Sequence, residues 1–248
     1  IKGDICDMKL LSEIFRNYKI DGIINFAAET HVDNSISNPK LFIETNINGT
    51  FNLLNVAYKF WMDGPFVFKK EHILSKFHQV STDEVFGSIE KGSFIESDSY
   101  LPNSPYSASK ASADMLVRSF EKTYGLNTSI SISSNNYGPN QNQEKFIPKI
   151  INSLLTEKEI PVYGKGDNVR DWINVLDNCK AIEKIFNHSE SGEVYNVGAS
   201  NEIKNTDLID LIYEITNKIR PIKKKIVYVK DRFGHDFRYS LDISKIKN

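Results

Sequence analysis

The sequence predicts an α/β protein built on a doubly wound, mostly parallel sheet, with a smaller mixed α/β lobe following it. Three observations lead there. Apolar runs of strand length alternate with longer segments of helical period, the pattern of a sheet covered by helices on both faces. The alternation is regular as far as about Asn140 and then loosens into shorter elements. No Pro/Gly/Ser-rich linker intervenes, so residues 1–140 and 141–248 are expected to pack closely on one interface, with some segments of the second part returning to the first.

Taken in order, Leu10, Leu11, Ile14 and Phe15 recur at helical spacing, and Gly22-Ile23-Ile24-Asn25-Phe26 reads as a buried strand ending in Ala27-Ala28. A helix is expected from about Pro39, where proline suits a first turn, to Tyr58, with Leu41, Phe42, Ile47, Leu53 and Leu54 as its apolar stripe. The segment from Trp61 to Lys76 carries Asp63-Gly64-Pro65 and three lysines, more polar and longer than a minimal connection, and predicts a surface excursion. Phe77-His78-Gln79-Val80 is the next central strand, which puts Ser81-Thr82-Asp83-Glu84 at its carboxyl end. Pro105 precedes a helix over Tyr106 to about Tyr124 that Gly125 stops, and Thr128-Ser129-Ile130-Ser131-Ile132 returns as a strand. Beyond Asn140 follow a helix near Ile147 to Leu155, a short strand at Pro161-Val162-Tyr163, and smaller elements as far as Tyr239.

A chain of 248 residues can bury a substantial core, and 40% hydrophobic with 25% charged residues is ordinary globular usage, without repeats or low-complexity tracts. Lysine and arginine number 31 against 32 acids, a formal charge of −1, which argues against a general polyanion binder and against nucleic acid as a partner. The basic run Lys223-Lys224-Lys225 precedes Ile226-Val227-Tyr228-Val229 and reads as the solvated lead-in to a strand. Cys6 and Cys179 stand far apart with no second ligand nearby, so neither a disulfide framework nor a zinc site is expected, and a reducing cytoplasm fits. No run approaches the about 18 apolar residues of a membrane span. The opening Ile1-Lys2-Gly3-Asp4 is not a signal peptide, and no membrane partner is expected.

Two constellations carry chemistry. In Tyr106-Ser107-Ala108-Ser109-Lys110 the phenol and the amine lie four residues apart, on one helix face about one turn apart. A cation beside a phenol favours phenolate and brings its pKa down from about 10 toward neutrality, so that it can take a proton from a sugar hydroxyl. Read alone, the spacing is weak and more often marks a packing or solvated face. Thr82-Asp83-Glu84 follows a central strand directly, where an open α/β sheet binds its ligands; a turn or helix N-cap is the other reading of the same residues. Together, at a separation that one βα unit bridges, the two are more specific.

With Phe26-Ala27-Ala28-Glu29-Thr30-His31-Val32-Asp33, Glu44-Thr45-Asn46, Val80-Ser81-Thr82-Asp83-Glu84-Val85, Ser134-Asn135-Asn136-Tyr137-Gly138-Pro139, Arg170-Asp171-Trp172 and Asp231-Arg232-Phe233-Gly234-His235-Asp236, the chain resembles the dTDP-glucose 4,6-dehydratases, extended short-chain dehydrogenases with a Rossmann-like sheet. The resemblance runs over nearly the whole chain. It implies a tightly held NAD that is regenerated within each cycle, dTDP-glucose as substrate, a lyase reaction giving dTDP-4-dehydro-6-deoxy-glucose for deoxysugar synthesis, and a homodimer joined through a four-helix bundle that includes the helices after Pro39 and Pro105. The catalytic set it implies is Thr82, Asp83, Glu84, Tyr106 and Lys110: Tyr106 takes the C4 hydroxyl proton, Lys110 holds the nicotinamide ribose and lowers the tyrosine pKa, Glu84 removes the C5 proton and Asp83 protonates the departing C6 hydroxyl. Sugar-nucleotide epimerases and decarboxylases usually carry Ser or Thr where this chain has the two acids.

The resemblance also places Asp4 and Ile5 beside the adenine, Ala27 and Ala28 along the cofactor, and Thr45 and Asn136 in contact with it. Thr30, Thr82, Asn135, Lys145, Phe146, Pro161, Tyr163, Arg170, Asn205, Arg232 and His235 match substrate-contacting positions, the two arginines suiting a bidentate grip on diphosphate. His31 and His235 lack an acid/His cluster at ligand spacing, so no metal is expected. The chain departs from the family in lacking the opening strand, the G-x-x-G-x-x-G turn and its helix, and in stopping before the final helix, so a longer full-length protein is expected. Phe233 stands where many relatives have Pro. A dehydratase or epimerase of another nucleotide sugar, such as a UDP-sugar, and a non-catalytic nucleotide-sugar-binding fragment are the competing readings.

Overall fold

The computed structural model describes residues 1–248. Helix α1 (Met8–Asn17) starts where the Asp7 carboxylate accepts from the amides of Lys9 and Leu10, and leads into strand β1 (Gly22–Asn25). Helices α2 (Val32–Ser37) and α3 (Pro39–Phe42) follow, and α3 continues without a break through a π-helical stretch, Ile43–Gly49, into α4 (Thr50–Trp61). The helix expected from Pro39 to Tyr58 is therefore present, runs to Trp61, and is wound more widely in its middle. The excursion after it is a hairpin, β2 (Met62–Gly64) and β3 (Val67–Phe68), with a 3₁₀ turn at Lys70–His72. Its tip is exposed, but it is rooted in the interior: Trp61 is fully buried and its indole N–H donates to the Ile20 carbonyl at 2.7 Å.

Strand β4 (Lys76–Thr82) ends in a 3₁₀ turn, Asp83–Phe86, and helix α5 (Pro105–Tyr124) returns to β5 (Thr128–Ser133). Helix α5 has both of its ends specified. Ser104 and Ser107 cap each other reciprocally, Pro105 occupies the first turn, and Gly125 closes the helix at φ 72°, where an added Cβ would also lie 2.4 Å from the Phe66 ring. The remaining elements are β6 (Asn135–Tyr137), α6 (Phe146–Leu155), β7 (Ile160–Tyr163), β8 (Val169–Asn174), α7 (Val175–His188), β9 (Glu193–Val197), β10 (Glu202–Lys204), α8 (Asn205–Ile219), β11 (Ile226–Val229) and α9 (Ser244–Lys247). The Lys223–Lys225 run leads into β11 on the surface, with Lys224 paired to Asp210.

Strands β1, β4, β5 and β9 form one sheet in the order β1-β4-β5-β9, parallel throughout, which bears out the expected α/β class. Smaller sheets, β10-β8-β6 and β11-β7, stand apart from it. A cluster of 19 buried side chains, including Leu54, Trp61, Phe77 and Ile132, joins α4 and α5 to the main sheet; each Val, Leu, Ile or Phe among them contributes about 1.5–3 kcal/mol of transfer free energy. A separate cluster of Ile150, Leu154, Ile160, Val162, Ile209 and Ile222 holds α6 and α8 to β7.

The interior of the main sheet is partly polar, and most of its polar side chains pair with one another, Gln79 Nε2 and Asn196 Oδ1 being left over. On one face Asn25 donates to Gln79 and Thr50; on the other the His78 ring bridges the hydroxyls of Ser129 and Ser131. This explains how a strand as serine-rich as Thr128–Ser133 is buried along its whole length. No helix is long and apolar enough to cross a membrane.

Candidate active site

Because β1, β4 and β5 are parallel and adjacent, their carboxyl ends bring Ala27-Ala28, Thr82-Asp83-Glu84 and Ser134-Asn135-Asn136 to one edge of the sheet. At β4 the capping reading is seen directly. Thr82 caps the 3₁₀ turn, its hydroxyl accepting from the Glu84 amide at 3.4 Å, and that turn is what presents the two acids. Tyr106 and Lys110 lie one turn apart on α5, both buried, and Lys110 Nζ donates to the Val80 carbonyl at 2.7 Å.

The two carboxyls are treated differently by their surroundings. Asp83 is buried with Oδ2 unpartnered, and burial, then the neighbouring Glu84 charge, push its pKa well up, with Arg170 opposing. Glu84 is raised by burial too, but Arg170, Arg232 and Lys145 all work to keep it ionised. The expectation that Lys110 lowers the Tyr106 pKa is corrected. Burial and then the Glu84 carboxylate push the phenol up, with Thr82 hydrogen bonding opposing, and the ammonium is engaged with the strand carbonyl.

A cleft of about 1160 Å³, its open mouth included, lies over Glu84. Of the substrate positions named from the sequence, Thr30, Asn135, Lys145, Phe146, Pro161, Tyr163, Arg170, Asn205, Arg232 and His235 line it, and Thr82 does not. Lys145 Nζ donates to the Thr30 carbonyl and hydroxyl at 2.8 and 2.9 Å. At the mouth, Asp33 accepts from the Tyr163 hydroxyl at 3.1 Å and faces Arg232 Nε at 3.3 Å, while the Arg232 guanidinium stacks 4.5 Å over the Tyr163 ring. Arg170 is fixed more firmly. Its guanidinium lies 4.2 Å over Tyr239 and donates through both terminal nitrogens to the carbonyls of Val169, Phe237 and Asp236. His235 is tied to Asp231 at 2.6 Å, and His31 Nδ1 accepts from the Asn34 amide as the cap of α2.

Sequence reasoning missed Asp33, Glu144, Lys149, Trp172, Asp236 and Tyr239 as lining residues. Asp33, Trp172 and Asp236 lie inside the quoted motifs, which was the available signal. It also missed Asn46, fully buried in the π-helical stretch, whose amide accepts from the Glu29 N–H and donates to the Glu29 carbonyl and the Ser109 hydroxyl, tying the loop after β1 to α5.

Of the residues named for a dinucleotide, Ala27, Ala28 and Asn136 lie at this edge of the sheet, and Asp4, Ile5 and Thr45 lie outside its strands. Asp4 accepts from the Cys6 amide, the Ile5 carbonyl accepts from Asn52, and Thr45 sits in the π-helical stretch. Ala27 is exposed, with no side chain beyond Cβ to keep a flat ring from the backbone. Asn136 Oδ1 and Ser134 Oγ are buried without partners, and Lys110 makes one hydrogen bond. These spare polar groups beside a bare strand end fit a nicotinamide ribose.

A parallel sheet with a Tyr-x-x-x-Lys helix and paired ligand-facing loops defines the extended short-chain dehydrogenase class. The family described as GDP-mannose 4,6 dehydratase matches residues 1–248, and the chain belongs to it. Among its relatives, the dTDP-glucose 4,6-dehydratase of Salmonella typhimurium is 46% identical over 98% of this chain and 71% of that protein. The crystal structure of DesIV, a dTDP-glucose 4,6-dehydratase from Streptomyces venezuelae with NAD and TYD bound, is 40% identical, covers 99% of this chain and 71% of its own, and superposes with a TM-score of 0.88. UDP-glucose 4-epimerase from Thermotoga maritima reaches a TM-score of 0.88 at 26% identity, over 100% of this chain and 76% of that one.

Proposed function

We propose that the chain acts as a dTDP-glucose 4,6-dehydratase, a hydro-lyase that works with NAD. The observation that carries this reading is the Asp83–Glu84 pair at the end of β4: burial and the neighbouring Glu84 charge push Asp83 well up, while Arg170, Arg232 and Lys145 oppose the rise that burial gives Glu84. Two carboxyls with separated acidities form an acid and a base for one elimination. The names of the relatives at 46% and 40% identity support the dTDP-sugar.

In this reading Tyr106 receives the C4 hydroxyl proton, with Lys110 holding the nicotinamide ribose and Thr82 hydrogen-bonded to the phenol. NAD, when bound, supplies what these side chains lack, reversible uptake of a hydride from C4 and its return to C6. The 4-keto group acidifies C5–H; Glu84 takes that proton while Asp83 gives its own to the leaving C6 hydroxyl, which departs as water. Glu84 then returns a proton to C5, and the product is dTDP-4-dehydro-6-deoxy-glucose. Asp4, Ile5, Ala27, Ala28, Thr45 and Asn136 hold the cofactor, and the cleft residues from Thr30 to His235 hold the sugar nucleotide, with Arg170 and Arg232 toward its diphosphate.

We read residues 1–140 as the cofactor domain and 141–248 as mainly the substrate lobe. Leu41, Ile43, Phe51 and Met115, exposed on the helices after Pro39 and Pro105, supply apolar surface for a homodimer, and a cytoplasmic setting fits two free cysteines. The test is incubation of the full-length protein with dTDP-glucose in deuterated water. Loss of water with one deuterium at C5 is expected, and Glu84→Gln lowers the rate by about 10²–10⁴. Unchanged dTDP-glucose with turnover of UDP-glucose, or no turnover of either, would overturn it.

A further inference from the structure

Asp114 lies in the middle of α5, wholly buried, one turn beyond Lys110 and opposite the end of β4. Its Oδ2 accepts from the Ser81 hydroxyl at 2.5 Å and from the Tyr100 hydroxyl at 3.3 Å, while Oδ1 has no partner. A buried carboxylate with an unfilled oxygen is costly, and structure alone gives no reason to keep one here, since an amide would tie Ser81 to α5 as well. Lys110 is its mirror image: a buried amine whose single hydrogen bond runs to the Val80 carbonyl. Ser81 and Val80 are adjacent on β4, so one turn of α5 sets both charges against the same two residues of the strand that carries Thr82, Asp83 and Glu84.

We propose that Asp114 is a positioning residue for the Tyr106–Lys110 couple: its buried charge, fixed by Ser81 and Tyr100, keeps Lys110 an ammonium anchored on the Val80 carbonyl, one turn from the reacting phenol. This rests on the reading of Tyr106 and Lys110 given above. The surrounding electrostatics agree. Burial lowers the Lys110 pKa, and the charge acting against that fall is Asp114. Burial lifts Asp114 to about 6, opposed by Lys110 and Arg118 from α5 and by the Ser81 and Tyr100 hydroxyls, so that it remains ionised at neutral pH. The charged groups acting on Tyr106 are Glu84 and Asp83 from the 3₁₀ turn and Asp114 itself, all acidic and all raising the phenol, with the Thr82 hydrogen bond opposing.

The experiment is an NMR titration of the folded protein labelled with ¹³Cε-lysine, the Lys110 resonance being identified by its loss in Lys110→Met. In Asp114→Asn the Lys110 midpoint falls by about one pH unit or more, whereas Ser81→Ala and Tyr100→Phe, which leave the charge in place, move it far less. With dTDP-glucose, the alkaline limb of turnover in Asp114→Asn moves down with it. An unchanged Lys110 midpoint in Asp114→Asn overturns the proposal. So does a wild-type ¹³Cγ-aspartate spectrum showing Asp114 still protonated at pH 7.5, a result that needs no variant to fold. Both titrations are independent of turnover, so an inactive but normally titrating protein would count against the dehydratase reading and not against this one.

Discussion

His78 makes stability depend on pH in a way that can be calculated. The ring is fully buried between β4 and β5, with Nδ1 2.9 Å from Ser129 Oγ and Nε2 3.0 Å from Ser131 Oγ. A neutral imidazole satisfies both serines, donating to one and accepting from the other; the cation would have to donate twice and force one hydroxyl to turn. Burial, with the nearby Lys76 charge, pulls the His78 pKa from 6.5 to about 4. The unfolded chain takes up the proton near 6.5 and the fold refuses it until about 4, so the stability His78 contributes is complete above 6.5 and drains away as pH falls from there to about 4. At about 1.4 kcal/mol per pH unit the whole effect is about 3 kcal/mol, of which about 2 kcal/mol is gone by pH 5. Urea unfolding of the wild type and of His78→Gln at pH 7.5 and 5.0 should show the variant losing about 2 kcal/mol less across that interval. Histidine ring-proton titration checks the cause directly. Equal losses in both proteins, or a His78 midpoint near 6.5, would refute the reasoning.

Asn46→Ala strands the Glu29 amide and the Glu29 carbonyl and removes the donor to the Ser109 hydroxyl, which keeps its own bond to the Tyr106 carbonyl; it should cost about 2–4 kcal/mol in equilibrium unfolding, and a loss below about 0.5 kcal/mol would show that the π-helical stretch does not depend on this anchor. Arg170→Met removes the cation that most strongly opposes the rise of the Glu84 pKa. The Glu84 midpoint then rises, and the acidic limb of the turnover profile shifts to higher pH, whereas an unshifted limb would remove Arg170 from the acid–base assignment.

What was legible in the sequence followed one-dimensional periodicity. Helix α5 announced itself through Pro105, an apolar stripe and Gly125, and the strands of the main sheet through short apolar runs between turn residues. The π-helical stretch was not legible, because its residues have no special type; it exists through what Asn46 reaches in three dimensions. The cleft residues from Thr30 to His235 were named from the family resemblance and, Thr82 apart, fall together in space. The phenol was misjudged for a related reason. Spacing puts Lys110 on the right face of the helix, but the direction of the Tyr106 shift depends on burial and on Glu84, which no local pattern records. Asp114 carried no sequence signal at all, since an acid in a helix ordinarily faces water.

The wide turn at Ile43–Gly49 separates the two halves of a long helix in phase. Each residue of an α-helix turns the chain by about 100°, so taking one residue out of this stretch would rotate everything ahead of it by roughly that angle relative to everything behind. Leu41 and Ile43 on the outer surface and Leu53, Leu54 and Val56 in the core could then no longer both keep their places. The stretch works as a coupling joint: it lets the buried Phe42 and exposed Leu41 before it and the buried Leu53 and Leu54 and exposed Phe51 after it be set separately, with the buried amide of Asn46 tying the joint to the Glu29 loop and α5.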